Sequence, residues 1–185
     1  MSDTSNHGIT GLTYEDALPL RWVAASAAPS DAQQIRIQES NAEVLRTITV
    51  LEEHPSEAVL EHDAATQELQ RMDFKINLLL DLVGQVLAHH SILPEPLPVS
   101  LSAKTIQWDA QVAPDVGSYL NVELFLSRKY PRSIMFYGQV QQVSTVPGGF
   151  RMTVALEGMS EVVRDGLEKF IFRHHRRSIA HARRG

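Results

Sequence analysis

The chain has 185 residues and a mass of 20.7 kDa, with 43% hydrophobic and 21% charged residues, values that exclude wholesale disorder. It contains no cysteine, so disulfides, thiolate zinc sites and thiol nucleophiles are excluded. The net charge of −5 is uneven: residues 151–185 carry eight basic and four acidic side chains, a surplus of +4, while the rest carries nine and eighteen, or −9. So acidic a body argues against nucleic-acid binding by the whole molecule, whereas the basic end suits an anionic partner.

In chain order, residues 1–11 are small and polar, without the positive flank or apolar run of a secretory signal. The longest apolar runs, Leu78-Leu79-Leu80 and Leu82-Val83, are too short to span a bilayer. A cytoplasmic protein without membrane insertion is expected. The stretch from Leu12 to Val23 is richer in large apolar groups, and Pro19 keeps it extended. It reads as an arm or edge strand packing on something else. Residues 1–30 are thus expected to be a flexible N-terminus with an extended arm.

From Asp31 to about Glu53 the pattern turns helical, with Asp31 as the expected N-cap and Ile37, Val44, Ile48 and Leu51 on one stripe. Pro55 interrupts it, and as a first-turn residue it can open a second helix. That helix is predicted to run to His90, where Pro94, Pro96 and Pro98 close it off. With Leu69 at heptad position a, the a series is Leu69, Ile76 and Val83 and the d series is Met72, Leu79 and Val86. All six are apolar, which defines a coiled-coil seam.

The alternative is an amphipathic helix lying on its own domain. Length weighs against it: about 36 residues at 1.5 Å each make roughly 54 Å. A 90-residue domain has a radius of gyration of only about 12–13 Å. The stripe must outreach its domain and be kept dry by the first helix or by copies of the chain. Six buried side chains at about 1.5–3 kcal/mol each give on the order of 10 kcal/mol per chain, enough to offset association entropy. Leu80, Leu82 and Leu87 widen the apolar face beyond what a two-stranded coil covers. A homotetramer through residues 31–93 is therefore expected, a helical oligomerisation region.

Beyond the prolines the period becomes two. Val99 and Leu101, then Ile106 and Trp108, bracket an expected bulge. Leu120, Val122, Leu124 and Leu126 alternate with Tyr119, Asn121, Glu123 and Phe125; Ile134, Phe136 and Val140 follow. Phe150, Met152, Val154 and Leu156 form the last alternation, after a turn at Pro147-Gly148-Gly149. A helix from about Ser160 turns Val163, Leu167, Phe170 and Ile171 inward and ends in Arg173, Arg176, Arg177, Arg183 and Arg184. The fold class is α+β: a small antiparallel barrel over 94–185 with a C-terminal helix, preceded by two helices, the second a long coiled-coil helix.

At the start of this β region, Ser100-Leu101-Ser102-Ala103-Lys104-Thr105 followed by Ile106-Gln107-Trp108 resembles the second motif of PilZ domains, [D/N]-x-S-x-x-G leading into a strand. Gly117, Gly138 and the arginine-rich closing helix also suit that family, and the similarity covers roughly residues 95–178. It implies a bacterial barrel of the cyclic di-GMP signalling class. The departures are specific: Ser100 and Thr105 replace the first and last motif residues, and only Ser102 is kept. The family's R-x-x-x-R motif has no counterpart, since no arginine occurs between Arg71 and Arg128. Two lost charge-assisted bonds at about 1.5–3 kcal/mol each weaken binding by roughly 10² to 10⁴. The resemblance therefore implies an oligomeric, non-enzymatic scaffold that meets other signalling or motility proteins and does not bind cyclic di-GMP usefully. The alternative is a genuine cyclic di-GMP sensor using non-standard residues.

No phosphate loop, dinucleotide fingerprint or nucleophile elbow occurs, so no catalytic residue, cofactor or metal is expected. The adjacent pairs His89-His90 and His174-His175 point about 100° apart on a helix and suit C-terminal helix ends better than one metal. Glu52, Glu53, Glu57, Glu61 and Asp63 read as a solvated helix face. The basic end has three readings: complement to the helix dipole, contact with an acidic protein surface, or binding to phosphates.

Overall fold

A computed structural model describes residues 12–52, 64–90, 93–127 and 130–182. Among these, the elements run β1 (Tyr14–Ala24), α1 (Asp31–Glu52), α2 (Ala64–His90), β2 (Pro96–Leu101), β3 (Thr105–Ala110), β4 (Tyr119–Leu124), β5 (Ile134–Val146), β6 (Gly149–Glu157) and α3 (Glu161–Ala182). The strands close an antiparallel barrel in the order β1-β2-β3-β6-β5-β4. This is the α+β class expected, a small barrel with a C-terminal helix and helices ahead of it. The expected opening of the second helix at Pro55 lies outside the described residues.

The stretch read as an arm or edge strand is a full barrel strand, paired on both sides. Its first half pairs with β2, from Tyr14↔Leu101 to Pro19↔Pro96, and its second half with β4, from Leu20↔Leu124 to Ala24↔Leu120. Pro19 has no N–H to give to a ladder, and it stands where β1 passes from one neighbour to the other. Its carbonyl still accepts a bond from Phe125 N at 3.1 Å. The proline therefore marks a hand-over between ladders, a position where sheets tolerate it.

The other strands follow their alternation. Ile106 and Trp108, Leu120, Val122 and Leu124, and Met152 and Val154 point into the buried core. The expected bulge between Leu101 and Ile106 is a hairpin turn, because these two residues pair directly. The irregularity in register falls in β5, between Val140 and Gln142. At the β4 end alternation stops, and Phe125 and Leu126 are both buried. The β5–β6 hairpin closes through Pro147-Gly148, since Val146 pairs with Gly149. Gly148 has φ +90°, and proline followed by a positive-φ glycine is the type II turn pattern.

Two helices cover the barrel. Ser30, one residue before the expected cap, opens α1: its N–H donates to Gln33 Oε1 at 2.9 Å and its carbonyl accepts from Gln34 N at 2.8 Å. This is half of a capping box, with glutamine at the third helical position. Val44, Leu45 and Ile48 of α1 join Val163, Leu167, Phe170 and Ile171 of α3 in one core with the barrel. The stripe of α1 is thus spent within the chain, against α3 and β5, rather than on α2.

Asn41 pins α1 to the sheet. It is 1% exposed; its Nδ2 donates to Met135 O at 2.7 Å and its Oδ1 accepts from Met135 N at 2.9 Å. The β6 ladder reaches only Tyr137, so the asparagine amide completes the backbone pairing that β5 lacks beyond it.

Gly138 faces β6 at close range: an added Cβ would land on the Ala155 carbonyl oxygen and 2.7 Å from Val154 Cγ1. Gly138→Ala is expected to destabilise by about 1–3 kcal/mol through overpacking, read as a fall of several degrees in thermal melting with the barrel fold retained.

Candidate functional site

Three surfaces were marked by sequence. The first is α2, whose 27 residues extend about 40 Å at 1.5 Å each. Every seam residue is exposed: Leu69 66%, Met72 52%, Ile76 55%, Leu79 61%, Val83 54% and Val86 56%. Leu80 and Leu82, on its flanks, are exposed as well. Among the described residues α2 shares no packed face with another element. A soluble monomer rarely exposes so large a contiguous apolar surface.

The second is the degenerate motif, which is the β2–β3 hairpin. Ser102 is buried, and its Oγ accepts from Lys104 N at 3.1 Å and Thr105 N at 2.9 Å while meeting Thr105 Oγ1 at 2.9 Å. Its N–H donates to Thr105 O at 2.8 Å. The kept serine and Thr105 thus hold a turn together. Ser100 opens onto a shallow groove with Glu15, Asp16, Gln107, Asp109 and Arg151. Glu15 is its cross-strand partner, which sequence reading missed because β1 was not placed beside β2. Arg151 is the arginine of that groove, and Asp109 takes it in two bonds of 2.7 and 2.9 Å. The pairing lowers the Asp109 carboxyl pKa, first through the hydrogen bond from Arg151. Because β1 is the first barrel strand, the place of an R-x-x-x-R motif falls ahead of Tyr14, and residues 1–20 hold no arginine or lysine.

The third is the basic end of α3. Arg173 donates to Thr49 O at 3.2 Å and Thr49 Oγ1 at 2.9 Å, and Arg177 donates to Glu52 O at 2.9 Å. These bonds tie α3 to the last described turn of α1. Glu52 sits between them: Arg173 Nη1 lies 3.6 Å away, His174 Nε2 3.2 Å and Arg177 Nη1 3.7 Å. Its side chain is 20% exposed, which corrects the expected solvated face for this residue. Glu53, Glu57, Glu61 and Asp63 lie outside the described residues, as do Arg183 and Arg184. His174 is packed between rings, 4.8 Å from Tyr14 and 4.3 Å from Phe170 by centroid. Arg176 turns outward, 5.8 Å over the Phe172 ring.

Burial pushes the Glu52 carboxyl up, but the His174 hydrogen bond and the charges of His174, Arg173 and Arg177 outweigh it and hold the pKa below its usual 4.5. Tyr14 shows the opposite balance: burial first, then its 2.5 Å bond to Asp16 Oδ2, raises the phenol. Among the described residues no group of three or more histidines and carboxylates is placed to hold a metal, and no helix is long and apolar enough to cross a membrane.

A profile of the family described as atypical PilZ domain, cyclic di-GMP receptor, matches residues 45–184. The chain belongs to the atypical PilZ domain family, within the cyclic di-GMP signalling class. No curated protein sequence matches it. Among solved structures it is similar to a pathogenic protein from Xanthomonas campestris, a tetrameric PilZ domain self-assembled through an unusual helical bundle. That match has TM-score 0.69 and 21% identity, and covers 92% of this chain and 91% of the other. The inhibitor of motility MotI/DgrA from Bacillus subtilis matches at TM-score 0.38 and 16% identity over 43% of this chain and 41% of that one. The PilZ domain of YcgR from Escherichia coli with c-di-GMP matches at 0.37 and 16% over 49% and 81%.

A carboxylate with a depressed pKa stabilises the fold fully above its ordinary value, and that contribution fades as pH falls through the lower folded value. Glu52→Gln is expected to cost about 1–3 kcal/mol at pH 7, with the gap to the unaltered protein narrowing below the ordinary 4.5. Thermal melts of both proteins between pH 7 and pH 3 check the size and the direction.

Proposed function

We propose that the protein is a self-assembling scaffold of the PilZ class, a homotetramer through α2 that meets other signalling or motility proteins and does not bind cyclic di-GMP with useful affinity. The observation that carries this reading is the exposure of all six seam residues on a helix that nothing else in the described chain covers. An apolar stripe of that length is stabilised by about 0.8 kcal/mol for each CH₂ removed from water, and copies of the same helix supply a matching stripe. The tetrameric assembly of the Xanthomonas campestris protein, which has the same fold, supports four copies over two.

Electrostatics supports the second half. A cyclic dinucleotide carries two negative charges. The surface beside the motif presents Glu15, Asp16 and Asp109, with its arginine already paired. Like charges meeting there repel, and the missing arginines leave nothing to offset the repulsion. The receptor description attached to the family favours the second reading, a sensor using other residues.

Light scattering on the purified full chain is expected to give about four times 20.7 kDa at micromolar concentration. Mass and melting temperature should not move on adding cyclic di-GMP, and calorimetric titration should show no saturable heat in the low-micromolar range. Saturable binding would establish the sensor instead. Leu79→Lys places a charge in the seam and is expected to break the assembly into single chains on the same instrument.

A further inference from the structure

The barrel is closed only over the length that β4 shares with β5. Their ladder runs from Leu124↔Ile134 to Tyr119↔Gln139. It ends in two further bonds, Val140 N–H to Ser118 O at 2.9 Å and Gly117 N–H to Val140 O at 2.8 Å. There the chain turns away: Ser118 N–H donates to Asp115 O at 3.0 Å, with Gly117 at φ +91°. β5 runs on to Val146, paired with β6 on one side only.

Alternation decides which groups this overhang leaves open, because successive strand residues turn their N–H and C=O to opposite neighbours. The two-residue turn Pro147-Gly148 makes Val146↔Gly149 a hydrogen-bonded pair. Val146, Ser144 and Gln142 therefore bond to β6, and Val143 and Thr145 face away. The register shift after Val140 changes the phase once, so Val140 and Val143 share the outer side. Among the described residues, the backbone groups of Val143 and Thr145 have no partner strand. Natural sheets blunt such an edge with charge, proline or a cover. From Gln139 to Val146 there is neither a charge nor a proline, and Gln142, Ser144 and Thr145 are exposed.

We infer that the β5 overhang is a docking edge for an extended segment of another protein, which adds as a strand beside Val143 and Thr145 and carries a basic residue where it passes Asp115. The inference deepens the scaffold reading and rests on its partner-meeting half; it uses no part of α2. Backbone chemistry sets the form of the occupant, since an extended chain offers donors and acceptors at the spacing of alternate strand residues. Charge sets its sign: the edge is neutral, and the turn beside it presents Asp115, exposed and paired with no described cation. A second copy fits less well. Two such edges related by a two-fold axis would pair only from Gln142 to Val146, about 17 Å. Beyond that, each hairpin tip meets the other copy's Asp115–Ser118 turn. So short a ladder falls far below the roughly 1,200 Å² that a stable contact between folded proteins buries. A free segment can run on past the turn and over Val116, which is 61% exposed.

The probe is a capped, fluorescent peptide of one lysine followed by six alternating valines and threonines, titrated onto the purified full chain. Saturable binding below about 1 mM is expected. Thr145→Pro removes an outward N–H, keeps the bonds to β6 and sits where an edge strand accepts proline. It is expected to weaken binding about tenfold without lowering the mass of the assembly. No saturable binding, or equal binding by Thr145→Pro, overturns the inference. A fall in assembly mass assigns the edge to a second copy and overturns it too. Replacing the peptide's lysine by glutamate is expected to weaken binding several-fold, and equal binding overturns the choice of a basic partner. Amide hydrogen exchange on the unaltered protein needs no variant to fold. The Val143 and Thr145 amides are expected to slow on adding the peptide while that of Ser144, bonded to β6, does not change. Slowing confined to other residues overturns the edge. Single-chain mass with peptide binding intact would instead overturn the tetramer and leave the edge standing.

Discussion

Closure of the barrel depends on β1 holding two ladders at once. Its residues before Pro19 pair with β2 and those after it with β4, so one strand of eleven residues seals both open edges of the other five. An unpaired edge is a template for non-specific strand addition. The strand that removes it lies far from its partners in sequence, and α1 and α2 intervene before β2 begins. The helices are therefore an excursion from the sheet, and their packing is constrained by where β1 lets the chain go.

That closure has two chemical consequences. One is the character of the motif surface: β1 sets Glu15 beside Ser100, so the groove next to the motif is lined with carboxylates. The other is the anchoring of α1. Having left β1, the helix is tied to β5 by Asn41 and to α3 by Arg173, His174 and Arg177. Arg173, His174 and Arg177 of α3 thus surround Glu52, and Arg176 remains directed outward beside Phe172.

What sequence could disclose tracked the range of the interactions. The exposed apolar stripe of α2 was legible because a seven-residue repeat is local, and β4, β5 and β6 because alternation needs only one strand. The Ser102 hairpin was found as a motif and not as a turn, since its meaning lies in bonds to Lys104 and Thr105. β1 was read as an arm or edge strand, and its place between β2 and β4 was missed because Pro19 and the consecutive carboxylates Glu15 and Asp16 break the alternation of a two-sided barrel strand. Glu52 was placed among solvated acids because its partners stand more than 120 residues away.

The helical excursion begins on β1 and returns on β2, two strands that are hydrogen-bonded neighbours. Its ends, Ala24 and Pro96, are both fixed by the sheet: Pro96 pairs with Pro19, five residues back along β1 from Ala24, which at about 3.3 Å per residue sets them roughly 17 Å apart. The entropy of closing such a loop grows only with the logarithm of its length. The stretch between α1 and β2 can accordingly vary in length at little entropic cost, whereas α1 itself cannot be exchanged, because Val44, Leu45 and Ile48 share the core of the barrel.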